Sequence, residues 1–125
     1  MYIGILGAGT MGNGIAHVFS IFNYEVILSD LSNDILDNAL SVIRNNMKRQ
    51  CNKNIINVEQ MEKALSNIRT SILLEDLKEC DLIIEAIKED YKIKSDLLQK
   101  LDNICNKNTI LASNTSSISI NSLAK

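Results

Sequence analysis

Residues 2–12 read Tyr2-Ile3-Gly4-Ile5-Leu6-Gly7-Ala8-Gly9-Thr10-Met11-Gly12, an apolar run that breaks into glycines at G-x-G-x-x-G spacing. The run predicts a strand over Tyr2–Leu6. Met11–Phe22 follows as a helix, with Ile15, Ala16, Val18 and Phe19 on its apolar face. A glycine loop between a strand and a helix N-terminus suits a pyrophosphate. Gly7 permits the tight turn, Gly9 leaves the backbone bare for the phosphates, and Gly12 lets the helix pack closely on the sheet. Thr10 in the loop and Met11 at the helix start are further candidate cofactor contacts, and the helix's unpaired N–H groups and partial positive charge attract anions.

Working outward, Glu25–Ser29 predicts a second strand ending at Asp30, which lies 18 residues after Gly12. An acid there accepts hydrogen bonds from both ribose hydroxyls of an adenosine and repels a 2′-phosphate. With no Arg or Lys within three residues of Asp30, the pattern favours NAD over NADP. Ser32 is a plausible N-cap for a helix running to about Arg49, with Ile35, Leu36, Ala39, Leu40, Ile43 and Met47 at helical spacing. Gln50–Asn57 is polar and reads as the tip of a helical hairpin. Met61, Leu65 and Ile68 mark its shorter second helix. Further strands are expected at Ile68–Ile72, Asp81–Ala86 and Thr109–Ser113. A helix is expected from about Tyr91 to Ile104, and another from about Ser119. Alternating strands and helices imply parallel strands joined by right-handed crossovers. The fold class is therefore α/β, a Rossmann-type doubly wound parallel sheet with a helical hairpin insertion, in one domain over residues 1–125.

Composition narrows the function. The 125 residues carry 13 Lys and Arg against 15 Asp and Glu, a net charge of −2, with no basic stripe interleaved with aromatics; nucleic acid is not an expected partner. No apolar run has the length of a membrane span, so no membrane partner is expected either. Met1-Tyr2-Ile3-Gly4 lacks the basic start of a signal peptide. Cys51, Cys80 and Cys105 are far apart, and His17 is the single histidine. That pattern gives no Cys/His metal site and reads as free thiols in a reducing cytoplasm. His17, five residues after Gly12 on the same helix, reads as a packing or solvent-facing residue.

Two more loops fall at the carboxyl ends of strands, where such sheets do their chemistry. They are Glu85-Ala86-Ile87-Lys88-Glu89-Asp90 and Ser113-Asn114-Thr115-Ser116-Ser117. The second offers hydroxyls and an amide to a ligand, or equally caps the next helix. Taken with the Gly7–Ala16 stretch, the I-E-A-I-x-E of residues 84–89 and the L-A-S-N-T-S-S of residues 111–117, the chain resembles 3-hydroxyacyl-CoA dehydrogenases, and among them the bacterial 3-hydroxybutyryl-CoA enzymes. The resemblance covers essentially all 125 residues, and the Ser-Asn-Thr-Ser-Ser block is its most specific part.

The resemblance implies roles at matching positions. Gly7, Gly9, Gly12 and Asp30 hold the adenosine half of NAD. Glu89 and Lys94 lie near the ribose and nicotinamide half. Asn114 shapes the loop in which Ser116 hydrogen-bonds the substrate's C3 oxygen. Lys53, with Lys48 and Arg49, either greets the 3′-phosphate of the acyl-CoA or is a solvated basic turn. The family's catalytic base is a His in a His-Phe-Phe-Asn-Pro block after the fifth strand, paired with a Glu on the next strand. Neither block occurs in residues 1–125. The resemblance therefore implies a Rossmann domain truncated before its sixth strand, without the family's C-terminal helical domain. Such a domain would bind NAD but lack catalysis, and would self-associate through its exposed sheet edge. Two other readings share the glycine loop: a different NAD-dependent β-hydroxyacid dehydrogenase, and a non-catalytic NAD-sensing module.

Overall fold

A computed structural model describes residues 2–87, 91–105 and 108–113. Among the described residues five strands form one sheet: β1 (Tyr2–Leu6), β2 (Glu25–Ser29), β3 (Ile68–Ser71), β4 (Leu82–Glu85) and β5 (Ile110–Ser113). All pairings are parallel and the order is β3-β2-β1-β4-β5. The chain therefore winds outward from β1 in one direction, then returns and winds outward in the other. Right-handed crossovers in opposite directions place their helices on opposite faces. The first face carries α1 (Thr10–Ile21), α2 (Asn33–Asn52) and α3 (Val58–Ser66); the second carries α4 (Tyr91–Ile104) and a 3-10 turn at Leu74–Leu77.

Side-chain alternation sorts each strand between two cores. Ile3, Ile5, Val26 and Leu28 join Ala16, Leu36, Ala39, Ile43 and Met47 on the first face. Leu6, Ile27 and Ile83 join Leu77, Cys80, Leu98 and Leu101 on the second. Burial on both faces explains why the strands read as unbroken apolar runs. The buried residues of α2, Leu36, Ala39, Ile43 and Met47, recur every three or four positions along its inner face. Ser32 caps α2 by accepting the Ile35 N–H at 3.2 Å. Asn57 and Gln60 form a reciprocal capping box at the start of α3.

The boundaries differ from expectation at several points. α2 continues three residues past Arg49, to Asn52, so Gln50 is helical rather than part of the hairpin tip. The turn is confined to Lys53–Asn57, where Asn54 takes a left-handed φ of 58°. Ile68 belongs to β3 alone, not to the helix before it. The 3-10 turn at Leu74–Leu77 was not legible, because a single apolar pair, Leu74 and Leu77, is too short to show a period. The helix expected from about Ser119 lies outside the described residues.

All three cysteines are free thiols. Burial pushes the Cys80 thiol up to about 11 and raises that of Cys105. No helix among the described residues is long and apolar enough to cross a membrane.

Candidate functional site at the carboxyl edge of the sheet

Parallel strands deliver all their carboxyl ends to one edge, and the order reverses between β1 and β4. That reversal opens a crevice. β1 runs into Gly7, whose φ is +114°, a conformation an L side chain rarely adopts. The Gly7 N–H donates to the Ser29 carbonyl at 2.8 Å, and the Ala86 N–H donates to the Leu6 carbonyl at 2.8 Å. The turn is thus tied to both neighbouring strands. A Cβ on Gly7 would lie 2.8 Å from the Ala86 carbonyl oxygen.

Gly9 is the N-cap of α1. It has no side chain to bond the helix's first N–H groups, and no acid occupies the first turn. The other two helices on this face, α2 and α3, have side-chain caps. A Cβ on Gly9 would meet nothing within 4 Å, so its backbone faces open space. An uncapped helix start beside an open approach is the arrangement a phosphate requires. Thr10 and Met11 are exposed at this mouth. Gly12 has the opposite surroundings: a Cβ there would run into the Gly7 carbonyl oxygen.

Asp30 stands beside the loop, as its spacing predicts. One carboxyl oxygen, Oδ2, accepts the Ala8 N–H at 2.7 Å, and Oδ1 accepts the Leu31 N–H at 2.6 Å. Asp30 therefore latches β2 to the glycine loop. Each oxygen has a second lone pair, which leaves capacity for ribose hydroxyls.

Sequence reasoning missed Asn13, and it named Glu85 in the loop after the fourth strand without giving it a role. Asn13 is buried in the first turn of α1, and its side-chain amide, oriented to match its surroundings, donates to the Ala8 and Gly9 carbonyls at 3.0 and 3.2 Å. Glu85 is buried at the end of β4, and its Oε2 accepts the N–H of Ile87. The available signals were a polar residue directly after Gly12 and a carboxyl ending an otherwise apolar strand.

Glu89, Asn114 and Ser116 lie outside the described residues, as does the side chain of Lys94, whose backbone is in α4. The structure does not gather Lys53 with the glycine loop. Lys53 is exposed at the far end of α2, a 20-residue helix that spans about 30 Å. Arg49 is engaged on its own helix, bonding Asn46 at 3.1 Å. His17 packs α1 against α2, with Nε2 2.7 Å from the Gln50 amide oxygen.

The contrast between two glycines is testable by urea denaturation. Gly12→Ala is expected to destabilise the fold by about 3 kcal/mol or more, because backbone must move to admit the methyl group. Gly9→Ala is expected to stay within about 1 kcal/mol of the parent. Equal losses for the two variants would contradict this geometry.

Residues 2–125 match the family described as 3-hydroxyacyl-CoA dehydrogenase, NAD binding domain. The chain is 42% identical over 122 residues to a 3-hydroxybutyryl-CoA dehydrogenase of Bradyrhizobium diazoefficiens, covering 98% of this chain and 42% of that protein. It is 37% identical over 124 residues to one from Clostridioides difficile, covering 99% of this chain and 44% of that protein. Among solved structures, the (S)-3-hydroxybutyryl-CoA dehydrogenase of Ralstonia eutropha superposes with a TM-score of 0.93 at 38% identity, over 98% of this chain and 43% of that one. The chain thus spans less than half the length of these relatives. With an open, uncapped glycine loop latched by Asp30, it belongs to the 3-hydroxyacyl-CoA dehydrogenase family, as that family's NAD-binding domain.

Proposed function

We propose that this chain holds NAD for the reversible oxidation of an (S)-3-hydroxyacyl-CoA to the 3-oxoacyl-CoA. The names of its relatives favour the four-carbon 3-hydroxybutyryl substrate. The observation that carries the reading is Asp30 bonded to Ala8, beside the uncapped N-terminus of α1. When bound, NAD supplies the hydride acceptor. The chain's own residues orient it. The α1 N-terminus and the bare Gly9 backbone face the pyrophosphate, and Asp30 takes the adenosine ribose through its remaining lone pairs. By the family resemblance, Ser116 holds the C3 oxygen of the substrate, and Glu89, Lys94 and Asn114 line the nicotinamide side. The acyl-CoA is the partner of the whole protein.

Proton removal from the C3 hydroxyl is a separate requirement. His17 does not meet it, because its ring is engaged with Gln50 between α1 and α2. The family resemblance puts the base on a His outside residues 1–125, and on this reading these residues bind cofactor without turning over substrate.

Calorimetric titration is expected to show NADH binding more tightly than NADPH, with Asp30→Ala weakening NADH by roughly 1–2 kcal/mol through loss of a charged acceptor. Equal affinity for the two cofactors would remove Asp30 from the ribose site. In an absorbance assay at the NADH band, residues 1–125 with 3-hydroxybutyryl-CoA and NAD are expected to run at least about 10²–10⁴-fold below a complete family enzyme, the usual cost of a missing base. Turnover near the complete enzyme's, abolished by Ser116→Ala, would place a base within these residues.

A further inference from the structure

Glu85 is a fully buried carboxyl side chain with no part in the function proposed above. It ends β4 after Leu82, Ile83 and Ile84, and alternation turns it to the α4 face, where it is 1% exposed. Removing a carboxyl from water costs several kcal/mol unless hydrogen bonds replace the lost hydration. An apolar residue would serve the core more cheaply at this position. What Glu85 supplies instead is an acceptor: its Oε2 takes the N–H of Ile87, two residues ahead, just where the chain leaves the sheet.

The turn so fixed is pressed against the glycine loop. The Ala86 N–H bonds the Leu6 carbonyl at 2.8 Å. A Cβ on Gly7 would come within 2.8 Å of the Ala86 oxygen and 3.1 Å of the Ile87 nitrogen. The Ile87 side chain packs on the core beneath α4. Segment 85–87 is therefore held from four sides: by its strand, by β1, by the core and by the Glu85 carboxyl.

Its place in the topology gives the turn a role. A dinucleotide lies across the crevice where strand order reverses, between β1 and β4. The glycine loop and Asp30 are on the β1–β2 side and serve the adenosine diphosphate half. The other half would extend towards β4 and β5, and β4, the strand next to β1 on that side, ends in the turn at 85–87. We propose that Glu85 is a positioning residue for the nicotinamide half of the cofactor, setting the turn after β4 before the cofactor arrives. The proposal rests on the NAD reading given above.

The test separates the two halves of the ligand. NADH and ADP are titrated calorimetrically into the 125-residue chain and into Glu85→Met and Glu85→Gln. Methionine keeps the length but has no acceptor suited to an amide N–H; glutamine keeps an oxygen at the same reach. Glu85→Met is expected to weaken NADH about tenfold, the scale of one lost hydrogen bond, while ADP stays within about twofold of the parent. Glu85→Gln is expected to restore NADH affinity. Equal losses for NADH and ADP, an unchanged Glu85→Met, or a Glu85→Gln as weak as Glu85→Met each overturn the proposal. Should Glu85→Met fail to melt cooperatively, amide hydrogen exchange on the parent chain decides. Protection of the Ile87 N–H before NADH is added supports a preset turn, and exchange at the rate of an open loop overturns it. A parent chain that binds neither NADH nor ADP overturns the NAD reading itself, and the exchange experiment still judges the turn independently.

Discussion

No atom fits between the α-carbon of Gly12 and the carbonyl oxygen of Gly7. That contact fixes how closely α1 approaches the end of β1, and much else follows from it. A side chain at either position would lift the helix or displace the turn after β4, because Gly7 is in turn packed against Ala86. The start of α1 would then no longer sit over the point where the strand order reverses. A steric constraint of this kind is rigid. Interiors are close-packed, and backbone atoms have no rotamers through which to yield.

The polar groups around this contact divide into those spent on the protein and those left over. Asn13 satisfies the Ala8 and Gly9 carbonyls, and Asp30 takes the Ala8 N–H. Glu85 takes the N–H of Ile87 on the other side of the crevice. The first N–H groups of α1 receive no side-chain cap. The loop is thereby stiffened by its own hydrogen bonds while the start of α1 stays uncapped and open. A site organised in this way loses little conformational entropy when a phosphate arrives.

Much of this was legible along the chain. The glycine spacing, the acid at the end of the second strand and the alternation of apolar strands with amphipathic helices all report local rules. Each strand lies within a residue or two of its expected bounds. The helical hairpin was legible from two apolar stripes separated by a polar turn. Its tip was drawn too wide, because Gln50 looks like a turn residue but is helical and bonded to His17. Nothing local distinguishes a polar residue that faces water from one that meets a partner 33 positions away.

The sequence by itself determined the sheet's composition, the glycine loop at the start of the first helix and the acid that ends the second strand. Period, glycine placement and charge act over a few residues and need no fold to be read. Tertiary structure alone decided what the buried polar residues do. Asp30 reaches Ala8 across 22 residues because β1 and β2 are paired in register, with Leu6 opposite Ser29. Glu85 becomes buried because alternation along β4 turns it beneath α4, and its turn abuts Gly7 because β4 pairs with β1. Such contacts depend on strand order and register, which are set by how the whole chain packs. A pattern within any one segment therefore cannot reveal them.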